Sequence, residues 1–464
     1  MEYISTRGGI GAIGFIDAVL MGLADDGGLI VPRHIPQLSQ DMLAKWQKLS
    51  YADLALEIFS LYIDGEIPHA ELRKLIQTSY STFRHPEVTP VRRIRDDLQI
   101  LELFHGPTFA FKDVALQFLG NLYSYISRQN HSIIHILGAT SGDTGASAIE
   151  GVRGKDGIRI CILHPHGKVS KVQELQMTTV GDPNVLNLSV DGNFDDCQRI
   201  IKELFADVAF KQEYHLRAIN SINFARILAQ TVYYFYAYFR VAEQGVQAAS
   251  VVNFSVPTGN FGDIFAGYLA KKMGLPVGKL ILATNENNIL ERFVNEGVYE
   301  PSEFHMTYSP SMDIQVASNF ERYLYYLCGE NAGTVSGLMN AFKQEGKITI
   351  PADLLTQVQQ IFAAYGVEND ECLAAIGEVY SKYDYLMDPH TACGVAAAEK
   401  LANKAEVTVA LSTAHPAKFG EALELIPIEF THPPEIAALF EKPQHQTRVS
   451  GSNNAVKAEL LRFF

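Results

Sequence analysis

One pattern recurs through the middle of the chain: a short apolar run, a turn of small or polar residues, and a stretch with helical spacing. "SIIHIL" runs into "GATSGDTGASAIEG", "IRICIL" into "KVSKVQELQMTT", and "NVLNLSV" into "FDDCQRIIKELFAD". After the aromatic "RILAQTVYYFYAYFRVAEQG", "VVNFSV" opens into "PTGNFGDIFAGYLAKKMG" and "KLILATNE" follows. Strands this short, separated by helices, pair in parallel because each connection must cross back over the sheet, so the pattern demands an α/β fold. "EVTVAL" is the last strand expected, ending in the loop "STAHPAKFG". Up to about Pro90 the chain reads differently. "LAKWQKLSYADLALEIFSLYI" and "AELRKLIQTSYSTF" have helical periodicity and follow a glycine-rich start. With 464 residues the length suits about three domains. The expected boundaries are 1–92, 93–225 and 226–464.

The charge balance narrows the partners. A formal net charge of -14 and the absence of a dense Lys/Arg run argue against nucleic acid and for small molecules. Met1 and Glu2 begin neither a basic n-region nor an apolar h-region, and no run of about eighteen apolar residues occurs, so a cytoplasmic chain without a membrane partner is expected. Cys161, Cys197, Cys328, Cys372 and Cys393 are scattered and never spaced as CxxC, which suggests neither a disulfide framework nor a zinc site. "HPHG", from His164 to Gly167, is more simply a turn than a metal motif, and no metal is expected.

Chemistry concentrates in three places. In "HGPTFAFKDVALQFLGN", Lys112 stands at a helix start, and continuing at helical spacing reaches Leu116 and Leu119. Two readings are open: a lysine that lays its stem on the core and extends its charge to water, or a desolvated amine that forms Schiff bases. The second place is a pair of strand-loop-helix turns rich in glycine, with Gly138, Gly142 and Gly145 in one and Gly259 and Gly262 in the other. Each offers backbone N–H groups at a helix N-terminus, a natural seat for an anion, or is a tight turn that needs small residues. Neither is a Walker loop or a GxGxxG dinucleotide fingerprint. The third is "NSINFAR", where Asn220, Ser221 and Asn223 precede Arg226. It serves either as a cationic phosphate seat or as a capping cluster with a surface arginine.

An amine in an apolar recess, a hydroxyl-rich loop, a Gly/Asn nest and a hydroxyl at a distant strand end are what pyridoxal 5'-phosphate needs. The stretches "YISTRG", "DDGGLIVP", "HGPTFAFKD", "ATSGDTG", "DGNFDDCQ", "NSINFARILAQ", "PTGNFGD" and "LSTAHPAKF" resemble the threonine synthase family, in fold type II of the pyridoxal phosphate enzymes, from Tyr3 to Phe419. That resemblance implies a tryptophan synthase β-like α/β fold: two parallel-sheet domains with helices on both faces, and a helix-rich N-terminal domain. It implies pyridoxal 5'-phosphate as cofactor and conversion of O-phospho-L-homoserine and water to L-threonine and phosphate. By the same resemblance Lys112 is the Schiff-base lysine and Gly259, Asn260, Phe261, Gly262 and Asp263 form the cofactor phosphate loop. Thr413 faces the pyridine nitrogen, where a neutral hydroxyl suits elimination and replacement better than transamination. Thr140, Ser141 and Gly142 hold the substrate carboxylate. Asp143 stands near the cofactor 3'-oxygen where relatives often have asparagine. Asn220, Ser221, Asn223 and Arg226 are the candidates for the substrate phosphate. Other readings are a serine/threonine dehydratase or β-replacing synthase, or a non-catalytic binder of a phosphorylated metabolite. A monomer and a dimer are both compatible with the sequence.

Overall fold

The strand-helix alternation resolves into two sheets. In the computed structural model, which describes residues 1–243 and 251–464, the chain divides into two units. The first comprises Met1–Ile76, Phe83–His105 and Ser221–Glu429, the second Gln77–Thr82, Gly106–Asn220 and Phe430–Phe464. Segments cut at 92 and 225 therefore do not follow these units: the N-terminal residues belong to the unit that contains Gly259, and the last residues belong to the unit that contains Lys112.

The first unit holds a six-stranded sheet in the order Phe362–Gly366, Val277–Thr284, Val252–Pro257, Thr408–Ser412, Leu98–Glu102, Val91–Arg93. All neighbours are parallel except the last pair. Val252–Pro257 and Thr408–Ser412 are buried along their whole length, as expected of central strands in a parallel sheet. The helix Phe224–Glu243 is the aromatic one, and its expected last residues, Gln244 and Gly245, lie outside the described residues. Phe224 packs against Tyr3 and Tyr62, Phe235 against Trp46, and Tyr236 against Tyr51. These ring contacts seat the N-terminal helices. The expected single helical stretch there is two helices, Gln40–Trp46 and Tyr51–Ile63, because Ser50 caps the second by accepting from Asp53 N at 3.2 Å. The two glycine-rich N-terminal stretches form one structure, since the Asp26 carboxylate accepts from Ser5 Oγ, Gly9 N and Gly28 N.

The second unit holds a parallel five-stranded sheet in the order Thr447–Ser450, Val185–Asp191, Ile158–Pro165, Ile134–Ala139, Leu216–Ala218. "EVTVAL" is thus not the final strand. Thr447–Ser450 is a polar edge strand with only Val449 buried, so it lacks the apolar run that marks the others. "DGNFDDCQ" is a helix start: Asn193 and Asp196 exchange side-chain and backbone hydrogen bonds as a capping box. Among the described residues no helix is long and apolar enough to cross a membrane.

Two glycines bring the helices Lys112–Asn130 and Asp143–Val152 into backbone contact. A Cβ on Gly120 would lie 2.0 Å from Gly151 O, and one on Gly151 would lie 2.5 Å from Leu116 O. Both contacts are with backbone, which no rotamer change can relieve. Gly120→Ala should therefore push the helices apart and destabilise the protein by about 3 kcal/mol, as overpacking does. Urea denaturation measures this, and an unchanged midpoint would mean that the helices separate without cost.

Candidate active site

In the second unit the helix Lys112–Asn130 begins at Lys112 itself. The loop before it is tied by the next residue, since Asp113 accepts from Thr108 N at 2.8 Å and Thr108 Oγ1 at 2.7 Å. The Lys112 side chain is 11 % exposed, and its Nζ lies 4.8 Å from the Phe111 ring centroid and donates to Asp143 Oδ2 at 3.3 Å. It is not laid out toward solvent: the buried amine meets a carboxylate. The other oxygen, Asp143 Oδ1, accepts from Gln173 Nε2 at 2.7 Å. Ser170 Oγ donates to Gln173 Oε1 at 2.9 Å, which leaves the amide nitrogen of Gln173 to face Asp143. Gly142 has φ +150°, and a Cβ there would lie 2.3 Å from Gln173 Oε1, so glycine is required.

The hydroxyl-rich loop has a division of labour. Thr140 Oγ1 accepts from Gly142 N at 3.0 Å and from Gly145 N at 2.9 Å, closing the turn on itself. Ser141 is exposed at the loop tip. Asn220 is also exposed, at the end of this unit, and it precedes Arg226's helix, which starts at Phe224.

In the first unit the loop "PTGNFGD" leaves the strand Val252–Pro257 and enters the helix Gly262–Lys272. The first-turn amides of a helix have no intrahelical acceptor and favour an anion. A Cβ on Gly259 would lie 2.9 Å from Ser311 O, so the loop packs backbone against backbone. Phe261 takes a left-handed φ of +63°, held by ring contacts with Phe320, Tyr323 and Phe362. Asp263 turns one carboxylate oxygen to the aromatic helix, where Tyr233 donates to Oδ1 at 2.6 Å and Tyr234 at 2.8 Å. That oxygen anchors the loop's helix. Asn260 O accepts from Asn319 N at 3.0 Å and Asn319 Nδ2 at 3.1 Å, and Asn260 Oδ1 accepts from Ser318 Oγ at 2.9 Å. Thr413 is buried just past the end of Thr408–Ser412, whose last residue is held by Leu103 N donating to Ser412 O at 2.9 Å.

The two readings of "NSINFAR" separate. Asn223 is a structural residue: its Oδ1 accepts from Ala225 N at 3.1 Å and its Nδ2 donates to Val19 O at 2.9 Å. Ser221 Oγ shares a hydrogen bond with Ser318 Oγ at 2.7 Å. Arg226 is no surface arginine. It is 4 % exposed, and its Nε and Nη1 are buried with no hydrogen-bond partner among the described residues. Burial pulls the guanidinium down to about 10, leaving it charged at neutral pH. A buried cation with unused donors has the chemistry to accept an anion.

Comparison with known proteins shows the family. Residues 2–80 match the family described as threonine synthase N terminus, 88–412 the pyridoxal-phosphate dependent enzymes, and 391–459 the threonine synthase C-terminal family. The chain belongs to the threonine synthase family. Among relatives in that family, the threonine synthase of Schizosaccharomyces pombe is 49% identical, over 92% of this chain and 89% of its own length. That of Pseudomonas aeruginosa is 46% identical, over 96% and 95%. The crystal structure of pyridoxal phosphate-bound threonine synthase from Brucella melitensis superposes with a TM-score of 0.96 at 44% identity, covering 100% of this chain and 99% of that one. The chain has a fold type II architecture and is a pyridoxal phosphate-dependent enzyme. Two of its features suit that cofactor: a buried amine and a glycine-rich helix start. Ser318, Asn319 and Gln173 carry no signature in the sequence. Each acts on a loop distant along the chain, and only the polar dip "SNF" before an apolar helix marks the first two.

If Arg226 is an anion seat, Arg226→Met should stabilise the ligand-free protein by about 2 kcal/mol, because an uncompensated buried charge is removed. With pyridoxal phosphate already bound, inorganic phosphate should raise the melting temperature of the parent and not of the variant. A destabilised variant that phosphate still stabilises equally would make the guanidinium a fold element.

Proposed function

We propose that this chain converts O-phospho-L-homoserine and water to L-threonine and phosphate, the last step of threonine biosynthesis. The observation that carries this is the buried Lys112 amine at its helix start, in a chain whose threonine synthase relatives align over almost its whole length. When bound, pyridoxal phosphate supplies an electron sink that acidifies the carbons next to an attached amino group.

Lys112 Nζ is the amine that carries the cofactor and, once the substrate amine takes its place, the base that removes the α-proton. Asp143 orients that amine through Oδ2 and is itself held by Gln173. The amides from Gly259 to Asp263 receive the cofactor phosphate at the start of Gly262–Lys272. Thr413 offers the pyridine nitrogen a hydroxyl, which cannot hold it protonated as a carboxylate would. Ser141 and the turn built on Thr140 and Gly142 take the substrate carboxylate, and Arg226 takes its phosphate through parallel charge-assisted hydrogen bonds. Arg226 also favours this reading over a dehydratase or β-replacing synthase, whose substrates need no second phosphate seat. A cytoplasmic setting, with a monomer or dimer, accords with the free cysteines and acidic charge.

The test is phosphate release and threonine formation from O-phospho-L-homoserine by the purified protein. Borohydride should fix the cofactor on Lys112, seen as a mass increment on its peptide. Lys112→Ala should lose turnover by about a thousandfold or more. Near-normal turnover in that variant, or no phosphate released by the parent, would overturn the assignment. Thr413→Val should lower turnover while the visible band of the bound cofactor persists; unchanged kinetics would put the ring nitrogen elsewhere.

A further inference from the structure

We infer that Ser318 is a positioning residue whose hydroxyl fixes which way the Asn260 side-chain amide faces. This rests on the proposal that Asn260 belongs to the cofactor phosphate loop. Asn260 has an amide with two chemically opposite ends, and only the Nδ2 end can donate to a phosphate. Something must hold the Oδ1 end away.

The polarity is set from behind by a group that can only donate. Arg322 is fully buried, and its Nη1 donates to Asn319 Oδ1 while Nη2 donates to Ile222 O and Nε to Ile30 O at 3.0 Å. With its oxygen committed to the guanidinium, Asn319 presents Nδ2, which donates to Asn260 O at 3.1 Å and to Ser318 Oγ at 3.3 Å. Ser221 Oγ lies 2.7 Å from Ser318 Oγ on another side. A hydroxyl has two acceptor positions and one proton. Ser318 Oγ gives its proton to Asn260 Oδ1 at 2.9 Å and accepts from Asn319 Nδ2, so its remaining acceptor position is the one that meets Ser221 Oγ. Asn260 Nδ2 then faces away from Ser318, ready for an anion. In the reverse order Asn260 would donate to Ser318 and turn its carbonyl oxygen on the phosphate, which is repulsive. The adjacent Glu321 steadies the same segment, because Arg7 donates to both its oxygens at 2.9 and 2.7 Å and Thr6 Oγ1 to one at 2.6 Å.

The experiment is cofactor affinity rather than turnover, measured by titrating pyridoxal phosphate into the cofactor-free form of each variant. Ser318→Ala should weaken binding about tenfold and shift the phosphorus-31 resonance of the bound cofactor, and Ser318→Thr, which keeps the hydroxyl, should restore both. Asn260→Ala should weaken binding at least as much, and the double variant should bind no more weakly than Asn260→Ala alone, because Ser318 acts only through Asn260. Additive losses, or failure of threonine to rescue, would overturn the positioning role while leaving Asn260 as a cofactor residue. Unchanged affinity in Asn260→Ala would remove the phosphate-loop assignment and the inference with it.

Discussion

The first unit is tied together by a fully buried cation, Arg322. Burial of Arg322 pulls its guanidinium down to about 9, and stripping such an ion of solvent costs several kcal/mol before any partner is counted. Its partners come from three separated stretches of chain: Ile30 O, Ile222 O and Asn319 Oδ1. Each is a neutral oxygen that would be buried without a donor if the guanidinium were absent. The neighbouring Glu321 gathers Thr6 and Arg7. Two consecutive charged residues at one helix start thus tie together the N-terminal segment, the approach to the aromatic helix and, through Asn319, the Asn260 loop. With the ring contacts of the aromatic helix, these bonds join Met1–Ile76 to Ser221–Glu429 in one unit.

What could be read from the sequence were features with a local cause. Strand-helix alternation predicts Ile134–Ala139, Ile158–Pro165 and Val252–Pro257 because each is an apolar run closed by a turn. Lys112 at a helix start is visible because Gly106 and Pro107 break the chain before it. Non-local features were not visible. Thr447–Ser450 is a strand only because Val185–Asp191 offers an edge, and the division into units depends on contacts far apart in the chain. The site shows the same limit. Arg226 could be named, but its burial could not, and its place among four polar candidates concealed that Asn223 is a cap and Asn220 is exposed. Gln173 and Ser318 are ordinary polar residues until folding brings them to Asp143 and Asn260.

The charge distribution opposes the bulk composition. A net charge of -14 repels a phosphorylated metabolite at long range, where salt screens the effect. Close in, Arg226 and Arg322 are buried cations, and no hydrogen bond joins either to a carboxylate among the described residues. In a low-dielectric interior their field is weakened little by solvent. An acidic surface with inward cations suits selection of small anions over polyanions, since only a ligand able to leave water entirely experiences the positive interior.

The glycine contact between Lys112–Asn130 and Asp143–Val152 also bears on motion. Where long side chains separate two helices, rotamer changes let one slide past the other; where carbonyl oxygens take the place of those side chains, sliding requires the backbones to part. The contact therefore resists sliding of one helix along the other. Lys112 stands at the head of one and the Thr140–Gly142 turn at the head of the other, so a contact that resists sliding also helps to hold their spacing. The base and the loop proposed to grip the substrate would then be helped to keep amine and substrate carboxylate aligned while a turnover opens and closes around its ligand.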